Sequence, residues 1–191
     1  MDSTRQRIAR AGRRLLDQEG PDAVSMRRIA KAVRITPMAI YRHYPDRDAL
    51  LNALADQGFT ELAARLAEKA ISRNLEERLM TMSDIYLDHA LQNPRLFELM
   101  FLKQRKGARR FPGDFKSGDS PTANLMADVL REGMSSGFLR KDDVWEITFE
   151  MGALSHGLIM LYLGGRTGLT AARFRELYRR AFRRYIRGIR K

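Results

Sequence analysis

The sequence predicts an all-α protein, with a small three-helix domain at the N-terminus and a larger helical bundle behind it. Apolar residues recur at steps of three and four along almost every segment, and no segment shows the alternation typical of strands. All six prolines fall between these periodic segments or at their first positions. Three short segments come first and longer ones follow, so we predict about nine helices in total.

The first predicted helix covers residues 4–19. Its apolar stripe comprises Ile8, Ala11, Leu15 and Leu16. Gly12 lies on the same face, where it costs about 1 kcal/mol of helix propensity relative to alanine. We therefore expect Gly12 to allow close packing against a neighbouring helix. The pair Gly20-Pro21 ends the helix.

The next two helices are short and lie close together in sequence. Ser25 caps a helix over residues 26–33, and Thr36, with Pro37 at the first helical position, starts another over residues 37–44, which Pro45 stops. Only three residues join them. A connection this short forces a sharp crossing, which is the geometry of a helix-turn-helix.

Most of the remaining helices are longer, and recognisable start signals occur at Asp46, Asn93-Pro94, Ser120-Pro121 and Thr170. A core of about 45 residues is marginal alone, so Leu50 and Leu54 of the fourth helix should cover it. We place the domains at residues 1–54 and 55–191. The predicted segments are 46–72 as one or two helices, 75–91, 94–101, a loop over 103–119, then 121–136, 142–163 and 171–189.

Composition excludes several kinds of chemistry. The chain has no cysteine, so disulfides, cysteine zinc sites, iron–sulfur clusters and thiol nucleophiles are ruled out. No spacing typical of a metal site, phosphate loop or nucleophile elbow is present. A glycine-rich stretch at 164–168 follows a helix rather than a strand, so it is a poor phosphate loop. We therefore expect no enzymatic activity, no cofactor and no metal.

The N-terminus is polar and basic, unlike a signal peptide, and the most apolar stretch, residues 154–163, is too short to span a bilayer. We expect no membrane insertion and take the cytoplasm as the default location. The net charge is +12: residues 1–50 carry 11 Lys and Arg against 6 Asp and Glu, and residues 166–191 carry 10 against 1. Such basic ends either bind a polyanion or form solvated faces.

The third helix presents side chains that its own core does not need. Several at its start are small, which suits a helix that must approach base edges closely. Tyr41 and Tyr44 carry hydroxyls that can donate to phosphates, and Arg27 and Arg28 lie where a helix crosses the DNA backbone. The candidate DNA-contacting residues are Ser25, Arg27, Arg28, Thr36, Pro37, Met38, Tyr41, Arg42, His43, Tyr44 and Arg47.

Residues 25–51 read SMRRIAKAVRITPMAIYRHYPDRDALL, and this segment resembles the helix-turn-helix signature of TetR-family regulators. The resemblance covers residues 5–54. It implies that Arg27 reaches a base, that Pro37 and Met38 touch thymine methyls or sugars, and that four residues grip phosphates: Thr36, Tyr41, His43 and Arg47. It also implies a double-stranded DNA operator as partner.

Arg34 departs from the resemblance, because the family usually has glycine in the turn. A left-handed backbone there costs a non-glycine residue about 1 kcal/mol. Either the turn tolerates this cost or its geometry differs, and Arg34 could add a phosphate contact.

Residues 93–101 and 152–161 resemble the WHG type of C-terminal domain found behind some TetR-type motifs, although Ser155 stands where the tryptophan is expected. Such a domain implies that an effector binds, but it says little about which one. The strongly apolar helix that carries His156 favours a small, largely apolar effector. His156 lies in the most apolar helix, where it is either a core histidine satisfied by a carbonyl or a tyrosine, or a polar contact to the effector. The candidate effector-binding residues are His89, Phe97, Met100, Phe101, Met126, Phe149, His156 and Met160.

The last helix has an apolar stripe flanked by arginines. The stripe packs within its own subunit or against a second one, and a cationic membrane-surface helix is a further reading. In TetR-like proteins the last two long helices pair with those of a second subunit, which implies a homodimer. The candidate interface residues are Leu158, Tyr162, Phe174, Leu177, Tyr178, Phe182 and Tyr185.

Together these features predict a ligand-responsive repressor that binds a palindromic operator as a homodimer. The alternative is a charge-driven binder of DNA or membranes that uses the arginine-rich C-terminal end and lacks sequence preference.

Overall fold

The computed structural model describes residues 3–191, and the elements of these residues are helical. They comprise ten α-helices and one 3-10 turn at Pro21–Ala23. The helices are α1 (Thr4–Glu19), α2 (Met26–Val33), α3 (Pro37–Tyr41), α4 (Arg47–Lys69), α5 (Leu75–Gln92), α6 (Pro94–Phe101), α7 (Gly113–Lys116), α8 (Pro121–Ser135), α9 (Val144–Leu163) and α10 (Ala171–Ile189). The all-α prediction is confirmed.

Local start and stop signals account for most helix boundaries. The side chain of Ser3 caps α1, and Asp46 accepts from the amide of Ala49 at 2.7 Å at the start of α4. The third helix ends at Tyr41 rather than at residue 44. Pro45 lacks an amide donor and disfavours a helical conformation in the residue before it, so α3 gives way to a single turn in which the amide of Tyr44 donates to the carbonyl of Ile40 at 3.1 Å. The predicted loop over 103–119 contains the short helix α7.

The chain divides into two compact units, and α4 runs through the boundary. The first unit comprises residues 1–59 and 93–108, of which residues 3 onward are described, and the second comprises residues 60–92 and 109–191. The predicted boundary between residues 54 and 55 falls inside α4. We retain the division into a DNA-binding and a sensing domain as a proposal.

The first unit has a core formed by α1 to α4, with α6 packed on it. Ile8, Ile29, Ile40, Leu50 and Leu54 are each fully buried. A methyl group added at Gly12 would lie 3.4 Å from Leu54 Cδ1 and 3.5 Å from Ile29 Cδ1, so α1 packs closely here, as its sequence predicts.

The chain segment 93–108 joins the first unit through packing and hydrogen bonds. The rings of Phe59 and Phe101 meet edge to face with centroids 5.1 Å apart. Arg105 donates to Asn52 Oδ1 at 2.6 Å and to the carbonyl of Leu99 at 3.0 Å. These contacts tie the end of α6 to α4, although more than 40 residues separate them in sequence.

The second unit packs α5, α8, α9 and α10 around a core that includes Leu79, Leu130, Phe174, Tyr178 and Phe182, each no more than 1% exposed. Ion pairs run along the edge between α5 and α10, where Asp84 accepts from Arg179 and Asp88 accepts from Arg175. Over the described part of the chain, no helix is long and apolar enough to cross a membrane.

Candidate nucleic-acid interface

The turn between α2 and α3 has the geometry that glycine normally provides. Arg34 caps α2 with φ 58° and ψ 49°, which is the left-handed conformation. The amide of Ile35 donates back to the carbonyl of Ala30 at 3.0 Å. Of the two options that the sequence leaves open, the structure therefore selects the strained one: the turn keeps its geometry, and Arg34 adopts it.

Thr36 starts α3, whose outer side chains are the predicted base contacts and which we call the reading helix. Its hydroxyl oxygen accepts from the amide of Ala39 at 3.1 Å, and Pro37 follows at the first helical position. A threonine hydroxyl can donate one hydrogen bond while it accepts another. Thr36 can thus cap α3 and still donate to a DNA phosphate.

The outer face of α3 is free of the core. Ile40 is fully buried and fixes the helix to the unit, whereas Met38 is 73% exposed and Tyr41 is 47% exposed. Thr36, Pro37 and Arg42 are also exposed. The structure therefore brings five of the predicted contact residues onto one short helix and its cap.

The two arginines at the start of α2 differ in their surroundings. Arg28 donates to both oxygens of Glu19, at 2.9 and 2.5 Å, and this hydrogen bonding raises the pKa of Arg28 and lowers the pKa of Glu19. Arg27 is exposed and makes no ion pair with any of the described residues. Arg27 is therefore available to a base edge, while Arg28 would first have to leave its carboxylate. Ser25 caps α2 through the amide of Arg28 at 3.4 Å.

Three other predicted contacts have structural partners. Arg47 donates to the carbonyls of Val24 at 2.7 Å and Pro21 at 2.6 Å, so its guanidinium holds the 3-10 turn instead of pointing freely outward. Tyr44 is only 3% exposed, and the guanidinium of Arg5 lies 4.7 Å from its ring centroid. Arg5 also donates to the carbonyl of His43 at 3.2 Å. Arg47 and Tyr44 thus support the motif, and half-buried His43 lies beside them.

The basic residues of α1 that support α2 and the end of α3 were not predicted from the sequence. Arg7 donates to the carbonyl of Val33 at 2.6 Å and so satisfies an acceptor at the C-terminal end of α2. Arg5 and Arg7 look like ordinary exposed positions in the periodic pattern of α1. The only available signal was that Arg5 and Arg7 lie one helical turn before the stripe residues Ile8 and Ala11.

In the second unit, His156 hydrogen-bonds Tyr86 through Nε2. Burial lowers the pKa of His156 to about 4, so the ring is neutral near pH 7, and burial raises the pKa of Tyr86 well above its ordinary value. A tyrosine partner is what the core interpretation of His156 predicts. Ser155, the residue before His156 in α9, accepts a hydrogen bond from the hydroxyl of Tyr178 at 3.0 Å.

The predicted effector-binding residues are divided between the two units. Phe97, Met100 and Phe101 belong to the first unit, where Phe97 and Met100 are buried. The other five belong to the second unit: buried His89, half-buried Met126 and His156, and Phe149 and Met160, which are 45% and 36% exposed. Phe149 stacks on Phe111 with centroids 4.4 Å apart.

The predicted dimer residues are of two kinds. Phe174, Tyr178 and Phe182 are completely covered within the chain itself, so they form its core rather than a dimer surface. The other four are half-buried: Leu158, Tyr162, Leu177 and Tyr185. Tyr162 stacks on Phe174 at 4.2 Å, and Tyr185 donates to Glu150 at 2.5 Å.

The helix α9 of the second unit carries exposed apolar side chains instead. Leu161 is 50% exposed and Leu163 is 37% exposed, and Ala153 and Gly157 are exposed on the same helix. The sequence prediction did not include these residues, because an all-round apolar helix does not show which face is covered.

Comparisons with known proteins agree with this geometry. A family model for bacterial regulatory proteins of the tetR family matches residues 8–54, and a model for the tetracyclin repressor-like C-terminal domain matches residues 79–185. The second match does not specify the WHG type, which stays a prediction.

Similar whole proteins show the same relationship. The chain is 29% identical over 158 residues to the uncharacterised HTH-type transcriptional regulator YobS of Bacillus subtilis, covering 83% of this chain and 78% of YobS. A solved structure of unknown function from Rhodococcus sp. RHA1 is 26% identical, with a TM-score of 0.83 and coverage of 100% and 97% of the two chains. The TetR-family transcriptional regulator PfmR from Thermus thermophilus has the same fold, with a TM-score of 0.64 at 17% identity and coverage of 97% and 100%.

The two family models together span most of the chain, and the first covers the helix-turn-helix whose outer face is exposed. The chain therefore belongs to the TetR family of bacterial DNA-binding transcriptional regulators.

Proposed function

We propose that the protein is a ligand-responsive repressor that binds a palindromic operator as a homodimer. The observation that carries the proposal is the exposed outer face of α3, together with the guanidinium of Arg27 at the start of α2, which is exposed and forms no ion pair with residues 3–191. A helix with this arrangement can enter the major groove, and Arg27 can donate two hydrogen bonds to guanine.

Dimerisation is proposed through α9. Its exposed face combines large apolar side chains, such as Leu161 and Met160, with small residues at Ala153 and Gly157. Small residues allow two helix backbones to approach closely, and an apolar surface on a helix that is otherwise packed marks an interaction site. Two-fold symmetry would place two reading helices about one DNA turn apart, which requires a roughly palindromic operator.

The effector is proposed to bind in the second unit near the Tyr86–His156 pair. Both groups are neutral near pH 7, since burial disfavours their charged forms. A neutral polar pair among apolar residues suits a small, largely apolar molecule with one hydrogen-bonding group. The effector would release DNA by preferring the conformation in which the two reading helices no longer match the operator.

The proposal is tested by selection from random duplex DNA at near-physiological salt, followed by sequencing of the enriched pool. Enrichment of a two-fold symmetric motif is expected. The selected duplex then serves in an effector screen, in which His156→Ala should reduce the response to the effector while DNA affinity stays within about twofold. An unchanged response would return His156 to a purely structural role.

One observation favours charge-driven binding as a second candidate function. Arg173, Arg183, Arg184 and Arg187 of α10 are exposed, and none of them pairs with an acidic group among residues 3–191. Such a face would bind polyanions without sequence preference. Selection without enrichment, together with retention that falls steeply with salt, would favour this function over the repressor.

A further inference from the structure

We propose that Arg34, in the turn between α2 and α3, is an additional contact to the DNA phosphate backbone. The inference rests on the proposed DNA-binding function, because it assigns a role to a residue of the same surface. It concerns a position where the local backbone favours glycine, and where the sequence places a long cationic side chain instead.

The conformation of Arg34 carries a cost. Among residues 3–191 it is the only non-glycine residue with a positive φ, and the five other positive-φ positions are all glycine. Left-handed backbone is unfavourable for residues with a Cβ, whereas glycine adopts it freely. The hydrogen bond from Ile35 to Ala30 shows that the turn has not relaxed to avoid this conformation.

Nothing inside the described protein uses the Arg34 side chain. It is exposed, and no hydrogen bond or ion pair joins its guanidinium to any residue from 3 to 191. Other arginines of this unit differ: Arg28 binds Glu19, and Arg47 binds two carbonyls. A helix C-terminus does attract cations, but Arg7 already donates to the carbonyl of Val33 at that end of α2.

The position of Arg34 suits a phosphate. It lies two residues before Thr36, which begins the reading helix, and one turn after Lys31, which is also exposed. When the N-terminal residues of α3 enter the major groove, the turn just before them lies beside the DNA strand that borders the groove. Backbone contacts of this kind fix the register of the protein without reading sequence.

The test measures DNA affinity by fluorescence anisotropy over a salt series, with Arg34→Gly, Arg34→Ala and Arg34→Lys. Two labelled duplexes of about 30 base pairs, roughly three helical turns, are used. One carries the selected motif and the other has mixed sequence. Arg73→Gly is the matched control, because Arg73 is an exposed arginine in the loop between α4 and α5 of the second unit.

The salt dependence should reveal the lost contact. Each phosphate contact contributes about 0.9 to the slope of log affinity against log salt, so a dimer that lacks Arg34 loses about 1.8. The factor by which the variant binds DNA more weakly than the wild type should therefore be roughly tenfold larger at 50 mM salt than at 200 mM salt. Arg34→Gly and Arg34→Ala should lower the salt slope by the same amount on both duplexes. Arg34→Lys and the control Arg73→Gly should keep the slope of the wild type.

Stability separates a contact role from a turn role. Arg34→Gly relieves the strained backbone and Arg34→Ala does not. The equilibrium constant for unfolding should therefore be about fivefold smaller for the glycine variant than for the alanine variant. If DNA affinity follows this stability order, or if the slope of Arg34→Gly equals that of the wild type, the proposal is wrong. A wild-type protein that binds only the mixed-sequence duplex refutes the repressor function but still allows the Arg34 slopes to be compared. A wild type that binds neither duplex overturns both proposals.

Discussion

Replacing His156 should change how the stability of the second unit depends on pH. The folded state holds the pKa of this histidine at about 4, against 6.5 for an unperturbed side chain. As pH falls below 6.5, the unfolded chain takes up a proton that the folded chain refuses. The neutral buried ring therefore stabilises the fold above pH 6.5, and the folded state loses stability as pH falls toward 4.

The magnitude follows from linkage. In the interval where only the unfolded state is protonated, stability falls by about 1.4 kcal/mol per pH unit. Between pH 7 and pH 5 the wild type should lose about 2 kcal/mol through His156 alone. His156→Phe keeps an aromatic ring but cannot titrate, so it should lack this part of the pH dependence, whatever other groups contribute.

The assay is urea unfolding followed by tryptophan fluorescence at pH 7, 6 and 5, at one fixed protein concentration because dimerisation would shift the apparent stability. Trp145 is the only tryptophan, and it lies at the start of α9, the helix that carries His156. The quantity of interest is the difference between wild type and variant at each pH. His43→Gln is the control, since His43 belongs to the other unit. A difference that stays constant from pH 7 to pH 5 would refute the assignment of a depressed pKa to His156.

Three further predictions concern the DNA-binding unit. Arg27→Ala should cost about 1–3 kcal/mol of binding on the selected motif and relax the preference at one base position; a uniform loss over all sequences, measured by repeating the selection, would argue against base reading. Tyr41→Phe should weaken all duplexes about equally, because a phosphate contact carries no sequence information, and a changed motif would contradict that role. Arg47→Ala should lower the stability of the first unit by about 1–2 kcal/mol, because two hydrogen bonds are lost. Hydrogen exchange of the amides of this unit measures that stability, and unchanged exchange would exclude the structural role.

Local signals predicted the helical segments well. The helix α1 begins and ends at the predicted residues, and Ser25, Thr36 and Asp46 cap the helices that they were expected to start. Capping depends on groups within three residues of each other, so such information is present in any short window of sequence. The one short helix that was missed, α7, has four residues and no periodic apolar pattern.

Pairings between distant residues could not be predicted. The partner of His156 is Tyr86, 70 positions earlier, and the carboxylate that binds Arg28 comes from a different helix. Burial shows the same limit: the stripe of α10 was clear in sequence, but the sequence could not say that Phe174 and Tyr178 are covered by their own chain. Periodicity shows which face of a helix is apolar, not what that face contacts.

The sequence by itself determined the all-α fold, the helix-turn-helix and the family resemblance, because these depend on short-range patterns of caps, prolines and apolar spacing. The tertiary structure alone decided which of the many arginines pair with other groups of residues 3–191. Arg27 and Arg34 extend outward, whereas Arg28 and Arg47 are bound to groups that lie 9 and 23 residues away or more. A guanidinium has a long, flexible stem and five donors, so its role depends on which acceptors the folded chain brings within reach.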